Sequence, residues 1–473
     1  MSRIVIVGAG LGGLTSAALL AQAGHDVTVL EQQSWVGGKS RRIEVAGQRI
    51  DTGPSLVTFP GVLTELYSRY DNLGKDSTRS RTAAEIMNLD LERLPEVGTY
   101  YFQDQVVNLP VEEGHPWFDA WQKFDQIHGG LSPEMVTLLT ADPLSLATLA
   151  PVGAISKNYG TALSTRSYLD SLDWMPDGLK EVIAIHTLNA GIAPERTLAL
   201  YATMPAVMAR EGIFVPEGGV YEIALGLHRL STEAGATFHL NQEVVSISRT
   251  GVVTADSFFP ADKVIAATDT EVVNRLLGKK KKTPKRVSCS GVAIFAVLKK
   301  PLPANTVTHS VIMPSTPSQL HKSLDDKNFP EETMAFLNYY RPGHIYPNTK
   351  ATAAILLTAP ANGEHVTLES DFVQREIERI SRTIGLNYNI ADDIEDYLIL
   401  DPEYFAGFGA SGGALYGQTR PLWQGGPFHM PAYSSVFRPW LWRVGASVHP
   451  GGGIPAVLGG AMNSVQRLLK NLR

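Results

Sequence analysis

Ile4-Val5-Ile6-Val7 runs without interruption into Gly8-Ala9-Gly10-Leu11-Gly12-Gly13, and that junction constrains the fold more tightly than anything else in the chain. The β-branched run predicts a buried strand. Leu14, Ala17, Ala18 and Ala21 recur at helical spacing after it, so Gly-x-Gly-x-x-Gly falls on a strand-to-helix turn of the dinucleotide-binding kind. Gly8 permits the tight turn, Gly10 lets the backbone approach a pyrophosphate, and Gly13 lets the helix lie close on the sheet. Leu11 and Gly12 open the helix, where unpaired N–H groups and the helix dipole favour an anion. A second strand, Asp26 to Leu30, ends at Glu31, 18 positions beyond Gly13. An acid there accepts hydrogen bonds from ribose hydroxyls and repels a 2′-phosphate.

The pattern continues beyond what a nicotinamide site requires, in Val36-Gly37-Gly38-Lys39-Ser40-Arg41 and Asp51-Thr52-Gly53-Pro54-Ser55. Near the other end, Val444-Gly445-Ala446-Ser447-Val448-His449-Pro450-Gly451-Gly452-Gly453-Ile454-Pro455 forms a second glycine-rich loop. It feeds a helix with Val457, Ala461, Val465 and Leu468 on one face. A third block, Gly212 to Gly219, precedes a helix bearing Ile223, Leu227 and Leu230. The run Thr237 to Ile247 and the segment Ala261 to Thr268 then read as strands.

With these blocks the sequence resembles the FAD-dependent carotenoid (phytoene-type) desaturases within the flavin amine oxidase superfamily. The resemblance implies FAD as cofactor, with the Lys39 cation near its phosphates beside Gly37, Gly38 and Ser40. It also implies contacts from Gly53, Pro54 and Ser55, and a Val245 backbone that meets the adenine end. Gly445, Ala446, Gly453 and Ile454 then hold the reactive end, where a helix N-terminus stabilises the charge that the ring gains with a hydride. Ala456 stands where the family usually has glycine. Ala414-Leu415-Tyr416-Gly417 is similar to the matching segment of desaturases of hydroxylated acyclic carotenoids.

The expected fold is α/β: a Rossmann-like FAD domain drawn from residues 1–90, 210–280 and 420–473, and a sheet-containing substrate domain at 281–419. Residues 91–209 are expected to be helical, lining a substrate tunnel and offering a membrane contact. Val287 to Leu298 and Ala351 to Thr358 read as strands of the substrate sheet, and Leu368 to Ile384 as an exposed amphipathic helix.

Composition narrows the setting. Hydrophobic residues make up 44% and charged residues 19%, with a mean hydropathy of −0.03, as in a soluble or peripherally bound body. The most apolar stretch, Met135 to Ile155, is broken by Asp142, Pro143 and Pro151, so it reads as interfacial or cavity-lining. The start of the chain reads as the first strand of the nucleotide fold and not as a signal peptide. Cys289 is the single cysteine, which excludes an internal disulfide and a cysteine zinc cage and fits a cytoplasmic, reducing compartment. A net charge of −6 gives no global signature of nucleic-acid binding. The run Lys279 to Lys282, with Lys285 and Arg286, reads first as a solvated loop and second as a headgroup contact.

The resemblance implies introduction of C=C bonds into a long acyclic polyene, by hydride transfer to flavin N5 and loss of a neighbouring proton. A single dinucleotide fingerprint points to a quinone or dioxygen as the electron acceptor. No Ser-His-Asp set, His-Glu-x-x-His pair or carboxylate pair can be assigned from the sequence, so the proton acceptor has no candidate. His449 reads as a turn-fixing hydrogen-bonding residue. The competing readings are a carotenoid cis-trans isomerase using reduced FAD, a flavin amine oxidase and a non-catalytic carotenoid carrier.

Overall fold

In the computed structural model, which describes residues 1–74, 81–280, 282–425 and 429–472, the strand Arg3–Val7 lies inside a six-stranded sheet with Ile4 to Val7 all buried. Burial on both faces is why this strand is continuously apolar and not alternating. Asp26–Leu30 and Lys263–Ala266 flank it in parallel. Thr237–His239 extends one side, and Arg438–Arg443 with Ser434–Ser435 the other. The sheet therefore joins three widely separated stretches of chain. Helix Leu11–Gln22 packs between Ile454–Leu472 and Glu222–Glu233. Helix Ile454–Leu472 buries Ala461, Val465 and Leu468 of the face that the sequence pattern predicts, together with Leu458 and Met462, while Val457 on that face is half-buried.

A second sheet has seven strands in the order Ile394–Leu400, Ser290–Leu298, Thr352–Ala359, Ala335–Tyr340, His309–Ile312, Gly98–Phe102 and Gln105–Leu109. Every pairing is antiparallel except that of His309–Ile312 with Gly98–Phe102. Helix Asp371–Thr383 covers one face with Phe372, Val373, Ile377 and Ile380 buried. It is amphipathic, as expected, but its apolar side is core.

Two further expectations change. Residues 98–109 form a hairpin of this sheet and not part of a helical region. Three aromatic residues in a row, Tyr100 to Phe102, hide the strand alternation, and docking on His309–Ile312 supplies the pairing. The run Thr237 to Ile247 is two strands. Asn241 takes a left-handed conformation (φ 56°), after which Val244–Ile247 turns into a three-stranded meander with Gly251–Thr254 and Phe258–Pro260. Asparagine tolerates that conformation better than most residues.

Among the described residues no helix is long and apolar enough to cross a membrane. Lys279, Lys280, Lys282, Lys285 and Arg286 are exposed after helix Thr270–Leu276, and Lys281 lies outside the described residues.

Candidate functional site: a dinucleotide cradle opening into an apolar tunnel

The glycines of the first turn differ in what surrounds them. Gly8 has φ 101°, which only glycine adopts freely. A Cβ on Gly13 would lie 2.0 Å from the Gly8 carbonyl oxygen, so this position is closed by helix-to-strand packing. Gly10 is open: a Cβ there would meet no protein atom within 4 Å. Gly12 is closed by the far end of the chain, its Cβ position lying 3.2 Å from the Gly445 nitrogen and 3.3 Å from the Val457 side chain. The amino-terminal turn and the carboxyl-terminal loop are thus one structure.

Glu31 is buried, and its two carboxylate oxygens accept from Ala9 N–H at 2.7 Å and Gln33 N–H at 2.9 Å. Burial pushes its pKa up against those two bonds. Each oxygen keeps a lone pair for a ribose hydroxyl. Thr268, whose methyl faces Gly8, has a buried hydroxyl without a hydrogen-bond partner among the described residues. The open space at Gly10, the ready acceptors of Glu31 and this orphaned hydroxyl all fit a dinucleotide lying along the turn.

Gly8, Gly10, Leu11, Gly12 and Glu31 border one cavity of about 1560 Å³. The same cavity is bordered by Gly37, Gly38, Lys39 and Ser40, by Gly53, Pro54 and Ser55, and by Gly445, Ala446, Gly453 and Ile454. Gly13 is not at its wall, in keeping with its packing role. Val245 is not there either: Gln242, Glu243 and Val244 form that wall, and the Val245 side chain is 52% exposed. Lys39 does not stand free over the helix N-terminus. Its ammonium donates to the Leu415 carbonyl at 2.5 Å, burial pulls its pKa down to about 8, and Asp269 opposes that shift.

His449 borders the cavity, and its Nδ1 lies 2.7 Å from the Tyr433 hydroxyl. Burial, reinforced by His429 and Arg467, lowers its pKa to about 4. It is a neutral ring tied to a buried tyrosine, which is the turn-fixing arrangement. Cys289 also borders the cavity, and burial pushes its thiol up to about 12, which makes it a poor nucleophile.

The second sheet forms the cavity floor. Strand register places Ala293 opposite Leu356, Leu356 opposite Phe336, Phe336 opposite Val311, and Val311 opposite Tyr100. Residues directly opposite share a face, and all five border the cavity. They make an apolar row roughly 19 Å long at the usual strand spacing. Its Ser290–Leu298 end lies against Leu415, whose side chain is 3.8 Å from the Cβ position of Gly291 and whose carbonyl holds Lys39. Met135, Leu138, Val152 and Ile155 line another wall, so the apolar stretch around them is cavity-lining. The sequence carries no local sign of this floor, because each member comes from a different strand.

Residues 11–397 match the family model described as flavin containing amine oxidoreductase. The zeta-carotene-forming phytoene desaturase of Myxococcus xanthus is 25% identical over 99% of this chain and 94% of its own length. The 4,4'-diapophytoene desaturase (4,4'-diaponeurosporene-forming) of Staphylococcus aureus (strain Newman) is 23% identical over 99% of both chains. Among solved structures, wild-type putrescine oxidase bound to putrescine superposes with a TM-score of 0.66 at 15% identity, covering 100% of this chain and 98% of that one. At that identity the likeness carries the fold alone. Cradle, fold and a family match over most of the length converge: the chain belongs to the flavin-containing amine oxidoreductase family and is an FAD-dependent oxidoreductase.

Proposed function

We propose that this enzyme is a carotenoid desaturase, which forms C=C bonds in a long acyclic polyene. The observation that carries the reading is the continuous apolar row Ala293, Leu356, Phe336, Val311 and Tyr100 in the same cavity as the dinucleotide cradle. A floor of that length suits an extended hydrocarbon far better than a small amine, and two relatives are named as desaturases of such molecules.

FAD, when bound, supplies the two-electron acceptor. The chain contributes position and dryness. Gly8 to Gly12 and Glu31 hold the nucleotide end, and the first turn of helix Ile454–Leu472 borders the cavity at the other, where its dipole favours negative charge. The floor keeps water from a substrate that offers no polar handle along its length. The test is the mass of the product formed from phytoene or neurosporene in vesicles. Desaturation removes two hydrogens per step; an unchanged mass with altered geometry would make the protein an isomerase, and no turnover would remove the substrate class.

The cavity mouth also argues for a membrane surface. Leu144, Leu146 and Leu149 are 70%, 84% and 64% exposed, and Pro143, Thr148 and Val152 between and beside them border the cavity. An exposed apolar patch around a tunnel entrance fits docking on a bilayer, from which a polyene enters without crossing water. The double variant Leu146→Asp, Leu149→Asp is expected to lose most vesicle flotation while keeping its flavin. Undiminished flotation would move the contact elsewhere. One dinucleotide cradle is found among the described residues, which favours reoxidation by a quinone or dioxygen, and anaerobic turnover with added quinone checks it. Turnover with NAD and with no quinone would contradict it.

A further inference from the structure

Cations from three separate stretches of chain meet at one edge of the six-stranded sheet. Lys263 and Arg438 open the adjacent parallel strands Lys263–Ala266 and Arg438–Arg443, and exposed Lys279, Lys280 and Lys282 follow helix Thr270–Leu276. The Lys263 ammonium donates to the Pro439 carbonyl at 3.0 Å, next to Arg438. Burial lowers the pKa of Lys279, and Arg438, Arg443 and Lys282 add to that shift. Burial and then Arg438 do the same to Arg443. Among the described residues none of Lys263, Lys279, Lys280, Lys282 and Arg438 forms an ion pair, and Asp262, beside Lys263, is taken by Arg3 at 3.1 Å.

An apolar tip stands among these charges. Ser434–Ser435 pairs back on Arg438–Arg443, and the two residues between, Val436 and Phe437, are 87% and 88% exposed. The hairpin is tied to the tunnel mouth. Tyr433, next to Ser434, lies 5.2 Å from the Arg467 guanidinium carbon, and Arg467 Nε donates to Asp142 at 2.6 Å. Asp142 stands two residues before the exposed Leu144, and Val436 only three after Tyr433, at most about 11 Å of chain.

A lysine run that is merely solvated needs no cation from another strand beside it, and a hairpin tip in water needs no phenylalanine. Gathering like charges costs free energy until an anion meets them. On a chain of net charge −6, composition alone does not produce such a patch. An apolar tip ringed by cations matches the layers of a bilayer surface, with phosphates above the acyl boundary.

Resting on the bilayer contact at the tunnel mouth, we infer that the hairpin tip and the cations around it form a second contact, selective for anionic lipid headgroups. Val436 and Phe437 enter the acyl boundary while Arg438, Lys263, Lys279 and Lys282 meet the headgroup charges. Two modest attachments joined in one body hold the mouth to the membrane more tightly than either does alone. The strand Arg438–Arg443 runs from this edge towards Gly445, so roughly 17 Å of sheet separates the contact from the cradle.

The test is flotation of the flavin-loaded enzyme with phosphatidylcholine vesicles and with vesicles of equal parts phosphatidylcholine and phosphatidylglycerol. The wild type is expected to bind the mixed vesicles at least about tenfold more tightly at low salt, an advantage that shrinks as salt is raised. The triple variant Lys279→Glu, Lys282→Glu, Arg438→Glu should bring that ratio close to one, with flavin content and turnover in detergent unchanged. The matching glutamine variant should fall between, and serves if glutamate disturbs the hairpin. Phe437→Ser should weaken binding to both kinds of vesicle. A wild-type ratio near one, or a ratio that survives in the triple variant, overturns the anionic contact and leaves docking at the mouth intact. A ratio near one with salt-sensitive retention on polyglutamate beads overturns it in favour of an acidic protein partner. If Leu146→Asp, Leu149→Asp binds both vesicles as the wild type does, the mouth contact fails, and the triple variant still decides the hairpin.

Discussion

Gly13→Val is expected to yield no soluble, flavin-loaded protein, whereas Gly10→Val yields folded protein without colour. The difference follows from what each added side chain meets. At Gly13 a Cβ would stand 2.0 Å from the Gly8 carbonyl oxygen and 3.1 Å from the Ala267 Cβ, both in the core of the parallel sheet. Only separation of the first helix from the first strand relieves that contact, at a cost above about 4 kcal/mol, the upper range for single substitutions. At Gly10 the backbone has φ −68°, which valine accepts, and a Cβ meets no protein atom within 4 Å. The added atoms fill the space meant for the pyrophosphate. Thermal unfolding of the apo forms with flavin absorbance checks both: Gly10→Val should match the wild-type apo protein within a few degrees and bind no FAD. A yellow Gly10→Val variant would mean that the cofactor lies elsewhere.

Lowering the pH from 7 to 5 is expected to cost on the order of 5 kcal/mol of stability, because the fold buries neutral imidazoles that an unfolded chain protonates. Burial depresses the pKa values of His128, His309, His321, His429 and His449 to about 4 and that of His186 to about 3. The sign is set by the unfolded value near 6.5: below it the unfolded chain takes up protons that the folded chain refuses. This stability is complete above pH 6.5 and is lost progressively down to about pH 4. One histidine shifted from 6.5 to 4 accounts for roughly 3 kcal/mol over the whole window. The buried carboxyl groups Glu31, Asp51, Asp269 and Glu376, all shifted upward by burial, act in the opposite direction and hold the total below the sum for the histidines. His128 shows the cost most clearly, with Nε2 2.6 Å from the Tyr168 hydroxyl and Nδ1 2.9 Å from the Thr203 hydroxyl. Both nitrogens are engaged, and a neutral ring accepts from one of these hydroxyls, so a second proton would make that hydroxyl give up its bond to the ring and would bury a charge. Urea midpoints at pH 7, 6 and 5 measure the effect. His128→Gln should be less stable at pH 7 and lose less on acidification; a flat wild-type midpoint would contradict the neutral core.

How much of this was legible in the residues depended on distance along the chain. Gly8, Gly10, Gly13 and Glu31 could be placed because the turn, its helix and the acid that follows lie within one strand-helix-strand unit. The carboxyl-terminal loop was legible as a motif, but its contact with Gly12 needed the fold. The tunnel floor was not legible: Tyr100, Ala293, Val311, Phe336 and Leu356 each look like ordinary core, and only the register of the second sheet aligns them. His186 and His309 are hidden for the same reason, since one follows helix Asp177–Ala184 and the other lies on strand His309–Ile312, and only the fold brings both to the cavity wall. The break in Thr237 to Ile247 was not legible either, because the run reads as one strand until the left-handed Asn241 interrupts it. The Gly98–Phe102 hairpin was hidden because tertiary pairing outweighed an aromatic pattern with no clear period.

The central claim is that the cradle and the apolar floor serve one reaction, electron transfer from a long polyene to the flavin. Anaerobic mixing of the flavin-loaded enzyme with an acyclic polyene in vesicles tests it most directly. The flavin absorbance should bleach by one equivalent for each double bond gained by the polyene, whose own absorbance shifts to longer wavelength in step. A flavin that stays oxidised with every acyclic polyene, and bleaches with a primary amine instead, would contradict it.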